Sequence, residues 1–433
     1  MKHLISIAKK YKLLILSYLL MGMARAFLQS FSSRYFQKVV DNFSSNTLTI
    51  ANIAIYGSAI ITLHIICYVI QYPERKLEHG IELSLKTNAL RKMSVIDYLS
   101  YVKIGTGTLI QRIENGASAG SNNLFGFYLR LAGELIPEML FCIAFIFAIN
   151  RTVTLVILMG YVIVFIITNI LLKALYKVKS SILVNEEKFN HLLVRSFMEM
   201  VVFRVNRRFE HEIKKAETAS REIDTSKVKM TLIHEAFFTI FVILVSFLKI
   251  GIIVYGRTTK TLTVGEIVAL ISLVENAYLP VAIFNVCYVQ YKLDMVAFSR
   301  YTDFLDAKED MHLTQGGRIP RIEGNICFSG IGFKYDEREI FNDLNLDIEQ
   351  GKTIAFVGES GSGKSTAVKL LVGLLHPHSG HILVDGFDLS GINLNSYYEN
   401  IAYLPQESPI FDGTLRENLV FDEEVDDEFC LKQ

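Results

Sequence analysis

Six long apolar runs dominate the chain, at about residues 13–33, 50–72, 126–149, 154–176, 233–255 and 264–288. A bilayer core about 30 Å thick is crossed by roughly 20 apolar residues in an α-helix. Runs such as "IANIAIYGSAIITLHIICYVIQY", "LVILMGYVIVFIITNILLKALY" and "FFTIFVILVSFLKIGIIVY" are long enough to do so. Composition agrees: 51% of the residues are hydrophobic and 20% charged, below the ~25% charged of an ordinary soluble domain. The formal net charge is zero, so the charge balance gives no reason to expect nucleic acid as a partner. The five cysteines, Cys67, Cys142, Cys287, Cys327 and Cys430, are scattered and contain no CxxC pair. That pattern argues against a disulfide framework or a zinc site.

The runs are unevenly spaced. Spans two and three, and again four and five, are separated by about fifty residues rich in Lys and Arg, whereas short turns such as "DNFSSNTLT" and "NRTV" join the others. Basic loops stay cytoplasmic, which with the "KHLISIAKKYK" N-terminus places both termini inside. The start has a second reading. "MKHLISIAKKYKLLILSYLLMGMARA" also has the basic, apolar and small-residue order of a signal peptide, and the parity of the spans does not decide between the two. The long cytoplasmic stretches read as helical: "EEKFNHLLVRSFMEMVVFRVNRRFEHEIKKAETASREI" spaces its apolar residues at helical intervals and lacks Gly or Pro. Gly105, Gly107 and Gly116 break the first stretch near its innermost point, where a short helix could meet a soluble domain.

After Arg300 the chain turns polar, and "YTDFLDAKEDMHLTQGGRIPRIEG" reads as a linker into an α/β region. "NICFSGIGFKY" and "LNLDI" have the look of strands. "KTIAFVGES" reads as a short buried strand that runs into a Gly-rich loop, and "STAVKLLVGLLHP" as a helix. Strand, Gly-rich turn and helix is the context a phosphate-binding loop requires. The residue types follow from the chemistry. Gly358, Gly361 and Gly363 let successive N–H groups point at phosphate oxygens with no Cβ in the way. The helix that starts near Lys364 adds its N-terminal dipole. Lys364 brings a positive charge to the β- and γ-phosphates, and the Ser365 hydroxyl suits Mg²⁺. Glu359, Ser360, Ser362 and Thr366 complete the loop.

"GESGSGKST" resembles the P-loop of ABC transporters, and its neighbours strengthen the resemblance. In "FKYDEREIFNDLNLDIEQGK", Tyr335 falls where the family stacks an aromatic on adenine, a contact worth roughly 1–3 kcal/mol per base. "NIAYLPQESPIFDGTLRENL" resembles the Q-loop segment, which implies that Gln406 approaches Mg²⁺ and the attacking water. "LTVGEIVALISLVENAYLPV" with "FSRYTDFLD" resembles the last membrane helix and exit of ABC exporters. "GTGTLIQRIENG" and "SFMEMVVFRVNRRFE" resemble the segments near their coupling helices. The resemblance implies a bacterial exporter half-transporter that binds ATP and Mg²⁺. It implies a partner, a second half-transporter in a homo- or heterodimer, set in the cytoplasmic membrane. The implied fold is a six-helix membrane domain over 1–300, a linker over 301–321, and a partial α/β P-loop nucleotide-binding domain over 322–433.

"Partial" reflects motifs that the family carries after the Q-loop: LSGGQ, an apolar strand ending in Asp-Glu, and a switch histidine. "DLSGINLNS" precedes the Q-loop, and "NLVFDEE" falls where exporters have their "REN" segment, so neither supplies them. The expectation is therefore a chain truncated after the Q-loop that lacks a catalytic Glu and hydrolyses no ATP by itself. Function then reads as the ATP-binding subunit of an exporter of a peptide, lipid or amphipathic small molecule. The alternative is an inactive subunit that binds nucleotide or a partner and regulates it. With no peptidase domain ahead of the first span, leader-peptide processing is not expected. Within the spans, Glu275 beside Asn276 is expected to face a cavity or a partner, because a carboxylate at mid-bilayer costs at least about 2.5–3.5 kcal/mol. It either lines a path for cationic substrates or bonds a neighbouring helix, and Glu134 and Glu138 are weaker candidates for the same role.

Overall fold

The computed structural model describes residues 2–405 and 410–420. The chain divides into two compact units, residues 1–94 with 104–307 and residues 95–103 with 308–433.

The first unit is helical. Five helices among the described residues are long and apolar enough to cross a membrane: Lys12–Ser44, Ile50–Met93, Gly107–Ile149, Phe209–Thr259 and Val264–Leu305. This corrects the expectation of six. The run expected at 154–176 lies in the helix Arg151–Met198, but its apolar part among the described residues is Arg151–Val164.

The helix boundaries have local causes. Thr49 and Asn150 accept hydrogen bonds from the amides of Asn52 and Val153, capping the helices that follow them. Thr263 and Glu266 form a reciprocal capping box at the start of the last long helix. The first long basic stretch breaks at Gly105 (φ 77°), between helices Tyr98–Ile104 and Thr106–Ser121. Gly107 and Gly116 lie inside the second of these helices and do not break it. Gly116 serves packing instead: a Cβ there would sit 2.2 Å from the Cβ of Tyr301. The second stretch, expected to be helical throughout, is interrupted. A short helix Met200–Val205 precedes a turn at Arg207 (φ 52°), and the long helix Phe209–Thr259 follows.

Val264–Leu305 is the core of this unit, with 44% of its apolar window buried against 17–28% for the other four. Leu270, Leu273, Val274, Ala277 and Tyr278 are fully enclosed. Two tyrosines bolt this helix to Arg151–Met198: Tyr278 donates to the Ile157 carbonyl at 2.8 Å and Tyr161 to the Ala277 carbonyl at 2.7 Å. A buried phenol needs such an acceptor, so each bond fixes a register as well as a contact. Asp41 ties the first long helix to the last by accepting from Thr263 Oγ1 and from the Gly265 amide, both at 2.9 Å. Helices also meet backbone to backbone, for a Cβ on Gly22 would stand 2.0 Å from the Gly133 carbonyl oxygen. Such small-residue contacts are how membrane helices gain close packing without a hydrophobic drive between them.

The second unit holds a four-stranded antiparallel sheet in the order β2-β1-β3-β4, with β1 Ile326–Tyr335, β2 Arg338–Ile348, β3 Ser379–Val384 and β4 Phe387–Asp388. Phe328, Ile331 and Phe333 of β1 face a core shared with Leu370, Leu375, Ile382, Leu394 and Tyr397. A two-residue turn joins β3 to β4, with Asp385 (φ 49°) and Gly386 (φ 84°) both left-handed, as a type I′ hairpin demands. The Asp385 carboxylate accepts from the amides of Glu323 (2.6 Å), Gly324 (3.1 Å) and Asn325 (2.8 Å), fixing the entry to β1. Burial works against its charge, yet these amides outweigh it and hold its pKa below the usual carboxylate range.

The strand expected at "KTIAFVGES" is not formed: residues 353–357 belong to no strand, and Val357 is 89% exposed. A buried strand needs a neighbour to accept its backbone hydrogen bonds, and among the described residues none lies beside it.

Candidate nucleotide site

The Gly-rich loop leads into the helix Lys364–Leu371, with Gly363 (φ 94°) as its N-cap. Only glycine suits that position. The φ is left-handed, and an added Cβ would meet the Phe341 ring at 2.7 Å and Ile340 at 3.0 Å. Gly361 (φ 86°) repeats the left-handed turn two residues earlier, and the Ser362 amide donates to the Glu359 carbonyl at 3.3 Å. The loop therefore curls around its own backbone.

Lys364 closes that curl. Its Nζ donates to the Gly358 carbonyl at 2.8 Å and to the Glu359 carbonyl at 2.7 Å, and reaches Ser362 Oγ at 3.4 Å. The charge thus sits over the loop, next to helix N-terminal amides that have no acceptor within the helix. Ser365 is exposed on the first helical turn, whereas Thr366 is buried beneath it. Thr366 accordingly holds the helix to its core. These residues fit a Mg²⁺-bound nucleoside triphosphate. Phosphate oxygens would satisfy the amides and draw the ammonium by charge-assisted bonds stronger than those to neutral carbonyls, and the exposed Ser365 hydroxyl would be open to a Mg²⁺ ion bound with them. Glu359 and Ser360 are exposed on the loop. Gln406 lies outside the described residues.

Tyr335 ends β1 and faces Arg338 across the hairpin. Its ring is half-buried and meets Phe333 edge-on, with centroids 4.9 Å apart. The same hairpin reaches the loop: a Cβ on Gly361 would lie 3.8 Å from Arg338 Nη2, and Phe341 and Ile340 cover Gly363. Tyr335 and the loop thus share one hairpin. Arg338 was missed in the sequence, although its position opposite Tyr335 in a tight hairpin was a usable signal.

Residues 95–103 also belong to this unit. Lys103 Nζ pairs with Asp336 at 2.8 Å, beside Tyr335. Lys369, on the P-loop helix, places its Nζ 5.3 Å from the centre of the Tyr98 ring, in a cation–π contact. Asp97 caps the segment by accepting from the Ser100 amide at 3.0 Å. The short helix Tyr98–Ile104 therefore packs against the helix that starts at Lys364.

In the membrane half, Glu275 pairs with Lys249 at 2.6 Å, joining Val264–Leu305 to Phe209–Thr259. Of the two roles left open by the sequence, this geometry supplies the helix–helix one. Glu134 binds two cations, Arg25 Nη2 at 3.1 Å and Arg130 Nε at 3.1 Å. Glu138 lies one turn further along, partly buried.

Residues 341–432 match the family model described as ABC transporter. The chain is 32% identical over 163 residues to the uncharacterized ABC transporter ATP-binding protein YwjA of Bacillus subtilis, covering 37% of this chain and 28% of that protein. It is 33% identical over 183 residues to the ATP-dependent permease MDL1 of Candida albicans, covering 40% of this chain and 26% of that protein. It is 24% identical to exp8 of Streptococcus pneumoniae serotype 4, along 99% of this chain and 74% of that protein. The alignments with the first two thus span little more than a quarter of those relatives' length.

The family match corrects one expectation. It runs past Gln406 to residue 432, so the ABC-type segment does not break off after the Q-loop. What stands is an ABC transporter-type, ATP-binding segment joined on one chain to several membrane-length helices. That is the general architecture of an ABC transporter in a multi-pass membrane protein.

Proposed function

We propose that the chain is the ATP-driven subunit of an exporter that moves a peptide, lipid or amphipathic small molecule out across the cytoplasmic membrane. The observation that carries this reading is the Lys364-closed loop on the same chain as the membrane-length helices, with Tyr98 packed on the P-loop helix. ATP and Mg²⁺ bind at Gly358–Thr366, Tyr335 stacks on the base, and Gln406 approaches the metal. A second half-transporter completes the working dimer. The basic stretches 73–125 and 177–232 and both termini face the cytoplasm. Nucleotide at the loop shifts Lys369 and hence Tyr98–Ile104, whose ends continue covalently into the membrane helices.

The test is ATP-dependent uptake into inside-out vesicles containing the protein, with fluorescent amphipathic dyes, a labelled lipid and a labelled peptide as cargo. Accumulation of at least one cargo is expected with the native chain and none with Lys364→Ala. Equal signals from both chains for every cargo would refute the exporter reading.

A further inference from the structure

The linker and the loop after the P-loop helix bring Asp310, His312 and His376 together, with one ligand atom from each lying within 4.8 Å of the others. The function above uses none of the three. His376 Nε2 and Asp310 Oδ1 are 3.5 Å apart, close to the separation of about 3.3 Å between ligand atoms around a tetrahedral zinc ion. The imidazoles of His312 and His376 pack at a tilt, with centroids 4.4 Å apart and 39° between the ring planes. His376 Nε2 is also buried without a hydrogen-bond partner. The Asp310 carboxylate at 3.5 Å is too distant for a normal hydrogen bond, and an ion between the two groups would satisfy both.

The positions are set by the fold rather than by long mobile side chains. Asp310 is anchored by its amide, which donates to the Val95 carbonyl at 2.8 Å, and its carboxylate caps the His312 amide at 3.0 Å. His376 follows Leu375, which is 1% exposed, and precedes His378, whose amide donates to the Gly332 carbonyl at 3.0 Å. Two histidines and one carboxylate form a donor set for Zn²⁺ and its first-row neighbours, with the remaining positions left for water.

We propose that Asp310, His312 and His376 form a divalent transition-metal site of the zinc class. An ion there cross-links the linker to the loop that follows the P-loop helix. No covalent chemistry is assigned to it: two imidazole nitrogens and a carboxylate oxygen hold the ion, and a proton is released where a ligand was protonated.

The test uses the full chain, without an affinity tag, in lipid nanodiscs titrated with Co²⁺. Visible absorption from one high-affinity Co²⁺ per chain is expected, and it should be displaced by Zn²⁺. His376→Ala and Asp310→Asn should each weaken that binding at least tenfold, whereas His378→Ala should leave it unchanged. Labelling by an ATP analogue verifies that each variant is folded. Should either variant fail that check, His312→Gln carries the comparison. Absence of a one-equivalent site in the native chain, or equal binding in the folded ligand variants, would overturn the proposal and leave the cluster as a stacked histidine pair.

Discussion

Lys364→Ala is expected to weaken labelling by a photoreactive ATP analogue 10- to 100-fold. Hydrogen bonds to charged groups are worth about 1.5–3 kcal/mol, and each 1.4 kcal/mol is a tenfold change in affinity. The lysine ammonium lies on the carbonyls of Gly358 and Glu359, directly over the loop that would cradle the phosphates. Of the charged side chains near the loop, Arg338 approaches Gly361 from the hairpin, so some residual affinity is expected to remain through it. The double variant Lys364→Ala with Arg338→Ala should lose that residue of binding as well. Undiminished labelling of the single variant would remove the P-loop assignment.

Glu134→Ala should produce the largest loss of stability in the membrane half. The carboxylate holds Arg25 and Arg130 at once, from helices Lys12–Ser44 and Gly107–Ile149. Its side chain is 23% exposed, and a guanidinium left without its counter-charge in such surroundings is costly. Removing one partner of a buried ion pair costs about 3–5 kcal/mol. The partial exposure argues for the lower end, about 3 kcal/mol. Glu134→Gln, which keeps an acceptor for one arginine, should cost less than the alanine change. Thermal unfolding of the protein in nanodiscs separates these results. A Glu134→Ala protein that melts with the native one would mean that water, not Glu134, compensates the two arginines.

These expectations differ in how much of their basis was visible in the sequence. The loop was legible because its chemistry is local. Glycines at positions of positive φ, a lysine and a helix start all fall within nine residues, and Gly363 and Lys364 sit where that logic puts them. Turns were legible for the same reason: Asn150 in "NRTV" caps the helix that follows. Long-range pairing was not. Nothing local in "VENAY" indicates that Glu275 meets Lys249 on another helix, or that Arg25 and Arg130 converge on Glu134. Strand formation at 353–357 failed for a related reason, because an apolar β-branched run becomes a strand only where another strand lies alongside. The glycine signal was ambiguous too. Gly105 ends a helix, while Gly116 makes room for Tyr301, and composition alone does not separate the two uses. The extent of the ABC-type segment was misjudged because absence of short motifs was read as absence of the domain that carries them.

Coupling between nucleotide and membrane helices is the central claim, and hydrogen exchange on the full chain in nanodiscs tests it most directly. The native chain and Lys364→Ala are compared with and without ATP and Mg²⁺. In the native chain, ATP is expected to slow exchange in the loop 358–366 and in Tyr98–Ile104, and to change exchange at the helix ends near residues 94 and 104. The Lys364→Ala chain should show none of these changes. Protection confined to the loop of the native chain, with 95–104 and the adjoining helix ends unaltered, would contradict coupling and leave a membrane protein that holds nucleotide without being driven by it.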